Sequence, residues 1–213
     1  MSTIIKYTNI YGHSITEEQV LNLNEYSKLI YIDNLLKIKE HHLETTKSKR
    51  KSIDFDYFLN SAEDKMTIVQ QYSNVELNHR CQVYFNEFFQ NGYTFWDVEA
   101  YSKEGNLKWK YKKVYNQDRK LMMRLGLNIE NNNVIKGEKY YYGNQFPTEF
   151  DDVLLRFDYD ENGQLTQIKD EKENYGYIWP IKPQTFLEDP EFALISQNTY
   201  YNNLYPLIPG GSV

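Results

Sequence analysis

Residues 156–168 read RFDYDENGQLTQI, and the residue types there point to two kinds of chemistry. Asp158-x-Asp160-x-Asn162-Gly163 is the opening half of a calcium-loop pattern, with Leu165 apolar where such loops require it. The same letters spell a β-hairpin, two runs of alternating polarity joined at Asn-Gly. The twelfth loop position, counted from Asp158, is Lys169, where calcium needs a bidentate Glu, and the flanks are strand-like where a calcium hand needs helices. The sequence therefore favours the hairpin and predicts no metal.

Other chemistry-bearing residues are sparse. His79 and Cys81 alternate in a predicted strand and so share a face, the arrangement of a thiol–imidazole pair; the competing reading is a buried thiol beside a surface histidine. His41 and His42 point to opposite faces of a strand, and no third ligand stands at a metal-binding spacing. His13 precedes a predicted helix cap and is expected to be solvated. Asp151, Asp152, Asp158, Asp160 and Glu161 form the densest acidic stretch, with Tyr159 among them. Paired carboxylates suit acid–base work. They equally suit a negative patch facing a basic partner, or a solvated strand end and turn. KSKRK at 47–51 is the only basic run and is expected to be a solvated loop. There is no Walker sequence, no GxSxG, no HExxH and no glycine-rich phosphate loop, so neither a cofactor nor a catalytic residue is predicted.

The elements that must position these residues follow from a recurring turn. Tyr159 and Leu165 flank DENGQ, Tyr101 and Leu107 flank SKEGN, Tyr115 and Leu121 flank NQDRK, Phe89 and Phe95 flank QNGYT, and Ile129 and Ile135 flank ENNNV. Turns centred near 91, 104, 118, 132, 144 and 162 recur roughly every 14 residues, a strand plus a tight reversal. Polar stretches at 33–34, 45–52, 60–64 and 73–78 continue the rhythm upstream. Asp33-Asn34 reads as a hairpin turn; the alternative is a helix carrying Leu29, Ile32, Leu36 and Lys39 on one face. Ser14-x-x-Glu17 reads as a capping box for a short N-terminal helix. Beyond residue 178 prolines accumulate, and Asp189-Pro190 starts like a helix inside an apolar tail holding Tyr200, Tyr201, Leu204, Tyr205, Leu207 and Ile208.

The expected fold is mainly β: a single domain over 1–213 with a helical segment at 1–25, a large curved antiparallel meander of roughly ten strands at 26–178, and a tail with a short helix at 179–213 packed on the sheet. With one cysteine in 213 residues, no secretory signal and no apolar span, the expectation is a soluble cytoplasmic protein with no membrane partner. The net charge of −6 argues against a nucleic-acid partner and for a basic one.

FDYDENGQLTQI resembles the YD-repeat unit of bacterial Rhs-type proteins, which reads roughly Tyr-Asp-x-x-Gly-x-Leu, and AYSKEGNLKW echoes it. It is also similar to the tyrosine-rich hairpins of MORN-type antitoxin proteins. Most turns here lack the Asp and several lack the Gly, so the resemblance implies hairpins first. At the level of class, a small, acidic, β-rich chain without catalytic motifs is similar to bacterial immunity proteins, which implies a non-catalytic inhibitor of a basic toxin domain; the acidic stretch Asp151, Asp152, Asp158, Tyr159, Asp160 and Glu161 is the expected contact. The alternative is a curved sheet or barrel that binds a lipid or small molecule in an interior lined by Tyr and Trp. The oligomeric state is left open by these residues.

Overall fold

The structure, a computed structural model, describes residues 2–10, 12–45, 49–143, 155–170 and 180–210. It is mainly β. The strands are β1 (Thr3–Thr8), β2 (Ser14–Ile15), β3 (Glu25–Ile32), β4 (Leu35–Glu44), β5 (Lys51–Phe58), β6 (Asn78–Gln90), β7 (Tyr93–Ser102), β8 (Leu107–Tyr115), β9 (Leu121–Leu127), β10 (Val134–Tyr141), β11 (Leu155–Tyr159), β12 (Leu165–Asp170) and β13 (Pro180–Ile181). The helices are α1 (Glu17–Val20), α2 (Lys65–Ser73), α3 (Pro183–Glu188), a 3-10 turn at Pro190–Phe192, α4 (Ala193–Ser196) and α5 (Thr199–Asn202). The hydrogen-bonded order runs from β13 down to β3 in chain order, then β1 and β2. Packing divides the chain into two compact units, Met1–Phe85 with Val98–Trp109, and Asn86–Asp97 with Lys110–Val213.

The predicted rhythm of turns is present. Asp33 and Asn34, at φ 49° and 66°, close the β3–β4 hairpin as an adjacent positive-φ pair of the kind that matches strand twist. Turns also fall at Asn91-Gly92, at Ser102–Asn106, at Asn116–Lys120, at Asn128–Asn133 and at Asp160–Gln164. The turn placed near 144 lies outside the described residues. The opening stretch is a hairpin: β11 and β12 pair antiparallel, with Gly163 at φ 81°.

Three expectations are corrected in the first unit. The segment 1–25 is mostly extended: β1, rich in β-branched residues, pairs antiparallel with β3. Its helix is the single turn α1, capped by Thr16 with Gln19 at N3, because Ser14 is committed to β2 opposite Thr8. The meander is also interrupted. NSAED and SNVELN flank α2 instead of closing hairpins, and β5 and β6 consequently run parallel, a pairing that requires a crossover. Asp64 caps α2 by accepting from the Thr67 amide at 2.7 Å. The helix buries Ile68, Val69 and Tyr72 against Phe55, Tyr57, Cys81, Val83 and Tyr101.

In the second unit the tail docks as expected. Phe157, Ile168, Met123 and Val114 from the strands meet Phe186, Tyr200, Tyr201, Leu204 and Ile208 from the tail in one core. The helix expected at Asp189-Pro190 is divided: the Asp189 amide closes α3 onto the Thr185 carbonyl, Pro190 opens a 3-10 turn, and α4 adds one turn. Pro180 stands first in the two-residue strand β13, a position compatible with its missing donor. No helix among the described residues is long and apolar enough to cross a membrane.

Candidate functional site

β10 organises the second unit. Its neighbours in register are β9 and β11, so side chains directly opposite share a face. One row joins Met123, Lys139, Phe157 and Ile168 beneath the tail, and the row beside it joins Leu125, Gly137 and Tyr159. On the opposite face a row joins Lys113, Arg124, Glu138, Asp158 and Gln167.

Beneath the tail, Lys139 is fully buried. Its Nζ donates to the carbonyl oxygens of Tyr200 at 2.5 Å, Asn203 at 2.8 Å and Pro206 at 2.9 Å. An ammonium has three donors, and the short helix α5 with the irregular chain after it turns three carbonyls inward, so each satisfies the other. Burial pushes the Lys139 ammonium down, to about 7. Tyr159 lies in the same core, 2% exposed, with its hydroxyl donating to the Tyr201 carbonyl at 2.7 Å. Gly137 lets the tail approach closely: a Cβ there would overlap the side chain of Leu204.

The opposite face is ionic. Arg124 Nε donates to Glu138 Oε2 at 3.0 Å, and the Tyr140 hydroxyl donates to the same oxygen at 2.5 Å. Burial raises the Glu138 carboxyl, but Tyr140 and Arg124 together hold it below the usual carboxylate range. Asp158 takes Lys169 at 2.8 Å and Arg156 at 3.2 Å. Asp160 folds the turn, its Oδ1 accepting from the amides of Asn162 at 2.9 Å and Gln164 at 2.8 Å.

The six residues expected to form one acidic and aromatic face are therefore not equivalent. Tyr159 points into the core, because Tyr159 and Phe157 share the face that the tail covers. Asp158 is ion-paired, Asp160 holds the turn, and Glu161 is exposed at its tip. Asp151 and Asp152 lie outside the described residues. The surrounding sequence is strongly acidic all the same: residues 149–191 hold twelve carboxylates and four Lys or Arg.

In the first unit Cys81 and His79 are not brought together. Cys81 is buried against α2, and burial, with Asp56 adding, pushes its thiol up to about 12. His79 is exposed and its Nδ1 lies 2.9 Å from Asp54 Oδ1. His41 and His42 face opposite ways as expected. His42 stacks on Tyr26 with ring centres 4.5 Å apart and meets Glu40 at 2.8 Å. His41 stands between Ser27 and Asp56, with Nδ1 3.1 Å from Ser27 Oγ and Nε2 3.5 Å from Asp56 Oδ2. Serine, imidazole and carboxylate are the components of a nucleophile relay, and their spacing along three strands hid this grouping from the sequence. Ser27 is 6% exposed, however, and Asp56 accepts from Gln82 at 3.0 Å, so the grouping is a set of cross-strand polar contacts. Of the basic run, Lys49, Arg50 and Lys51 are described and exposed, with Lys51 3.6 Å from Glu44.

Two shallow concavities lie on the first unit. One, of about 220 Å³, is lined by Leu21, Leu23, Tyr26, His42, Leu43 and Leu77. The other, of about 170 Å³, is lined by His79, Arg80, Tyr101, Lys108 and Trp109. Among the described residues no group of three or more His, Cys, Asp or Glu is placed to hold a metal ion.

The class that fold and site define is a mainly β protein with a large, mostly antiparallel sheet, a parallel crossover between β5 and β6, and a helical tail docked on one sheet face. No known protein family, curated protein or solved structure matches the chain.

Proposed function

We propose that this protein is a non-catalytic inhibitor that binds a basic protein, in the manner of a bacterial immunity protein neutralising a toxin domain in the cytoplasm. The observation that carries the reading is the concentration of charge: twelve carboxylates against four Lys or Arg in residues 149–191, within a chain of net charge −6. Such a field steers a basic partner and speeds encounter. The packing of the tail's Phe186, Tyr200, Tyr201 and Leu204 onto Phe157, Ile168 and Met123 of the sheet supports this reading over the ligand-binding alternative, which needs an apolar chamber of some hundreds of Å³. The similarity of the β11–β12 hairpin to Rhs-type units points the same way.

The contact is centred on Glu161 and the acidic segments around it, since Tyr159 is buried and Asp158 already has two cationic neighbours. Glu161→Lys is therefore the informative reversal, because it leaves the Asp160 turn bonds in place. The test is affinity capture from a bacterial lysate, followed by association kinetics against the captured protein. Association should fall steeply as salt rises and fall again in Glu161→Lys, with the melting curve unchanged. Recovery of only a lipid or small molecule, released on denaturation, would replace the inhibitor reading with the ligand-binding one.

A further inference from the structure

The two ends of the hydrogen-bonded strand order are built differently. At one end β13 is two residues long and begins with Pro180, a protected edge. At the other, β1 has six residues, and β2 covers it only at Tyr7 and Thr8 before the chain turns into α1. Among the described residues, nothing pairs with the outer edge of β1 over Thr3–Lys6.

The register fixes which backbone groups face outward there. The Asp33 amide donates to the Ser2 carbonyl at 2.9 Å, so the even-numbered residues of β1 bond to β3. The Asn9 amide donates to the His13 carbonyl at 3.0 Å, so the odd-numbered residues bond toward β2. Thr3 and Ile5 thus each turn an N–H and a C=O outward, with no strand partner among the described residues. The edge is apolar as well, with Ile4 41% and Ile5 50% exposed, and Lys6 is its only charge.

We infer that this edge pairs with the same edge of a second copy of the chain, antiparallel, about a two-fold axis at Ile4. In that register Thr3 exchanges both backbone bonds with the second copy's Ile5, and the symmetry repeats the exchange. Ile4 packs on Ile4, and Lys6 stands opposite the second copy's Ser2, so no like charges meet. A register centred on Ile5 would instead set Thr3 against Tyr7, whose outward groups β2 already takes. Self-complementarity of hydrogen bonds, apolar contacts and charge is what selects a second copy as the occupant. A pairing of this length buries little surface, so the dimer is a weak one. The inference is independent of the partner reading above.

Sedimentation of the full chain from about 10 μM to about 1 mM, a range suited to a weak complex, should show a dimer that grows with concentration. Ile5→Pro removes one outward N–H and no bond to β3, so it should abolish the dimer and keep the fold; Ile4→Lys, which sets like charges on the axis, does the same by another route should the proline variant not fold. Oxidation should link Ile4→Cys into a disulfide dimer, since directly opposed non-bonded residues stand about 4.5 Å apart at Cα. Lys6→Cys should link at least tenfold less. A chain that stays monomeric at the highest concentration, or Lys6→Cys linking as readily as Ile4→Cys, would overturn the pairing. So would an edge that cross-links only when a different protein is added.

Discussion

The ammonium of Lys139 sits 3.7 Å from the centre of the Tyr200 ring while donating to the Tyr200 carbonyl. A strand residue and a tail residue are thus joined twice, through backbone and through ring. Among the described residues no carboxylate pairs with this ammonium, which is met by carbonyl dipoles and by the rings of Tyr200 and, at 5.6 Å, Tyr159.

Lys139→Met keeps the apolar stem and removes the three donors. Each buried carbonyl left without a donor costs about 1–3 kcal/mol, and relief from burying a charge offsets part of that sum. A net loss of about 2 kcal/mol in urea unfolding is expected, together with faster proteolysis within 198–210. A variant as stable and as protease-resistant as the parent would show that the three bonds contribute nothing.

The same residue sets a pH dependence. Its folded value is depressed to about 7 from 10.5, so between these limits the unfolded chain binds more protons than the folded one. Stability from this group is therefore fully present above about 10.5, falls as pH drops, and is lost below about 7. The neighbouring tyrosines Tyr159 and Tyr200 act in the opposite sense: burial raises both, and their contribution is lost as pH rises beyond 10. Unfolding at pH 7 and pH 9 should show greater stability at pH 9, with a slope from this group of at most about 1.4 kcal/mol per pH unit. The Lys139→Met variant should lack that slope.

Gly137 and Leu204 should be energetically coupled. Gly137→Ala drives a methyl into Leu204 and is expected to cost about 1–3 kcal/mol, as overpacking does. Leu204→Ala, at a fully buried site, is expected to cost about 2–5 kcal/mol. The double variant should lose less than the sum of the two by about 1 kcal/mol or more, because the new methyl occupies space the leucine vacates. Additive losses in denaturant titrations would mean that the two sites do not meet.

The β11–β12 hairpin should give no saturable calcium binding at millimolar metal in calorimetry. Asp158 is already neutralised by Lys169 and Arg156, and Asp160 spends one oxygen on two turn amides. Saturable heat that vanishes in Asp158→Ala combined with Asp160→Ala would overturn this.

Turns and hairpins were legible along the chain because their requirements are local. A reversal needs residues that tolerate positive φ, and Asp33-Asn34, Asn91-Gly92 and Gly163 supply them between runs of β-forming residues. The docked tail was legible for a related reason, since so many aromatic and aliphatic side chains require cover. The crossover was not, because α2 is short and its Ile68 and Tyr72 stripe resembles strand residues until β5 and β6 are seen in parallel register. The relay-like grouping Ser27–His41–Asp56 was hidden likewise, its members being distant in sequence: strand register sets Ser27 opposite His41, and Asp56 reaches His41 diagonally from the next strand. Alternation along β10 and β11 says that Lys139 and Tyr159 face one way and Glu138 and Asp158 the other. Which way is inside depends on the side the tail covers. That choice of face buried Tyr159, seated an ammonium among carbonyls, and left Glu161 at the surface, because burial is a property of the packed chain and alternation only of the strand.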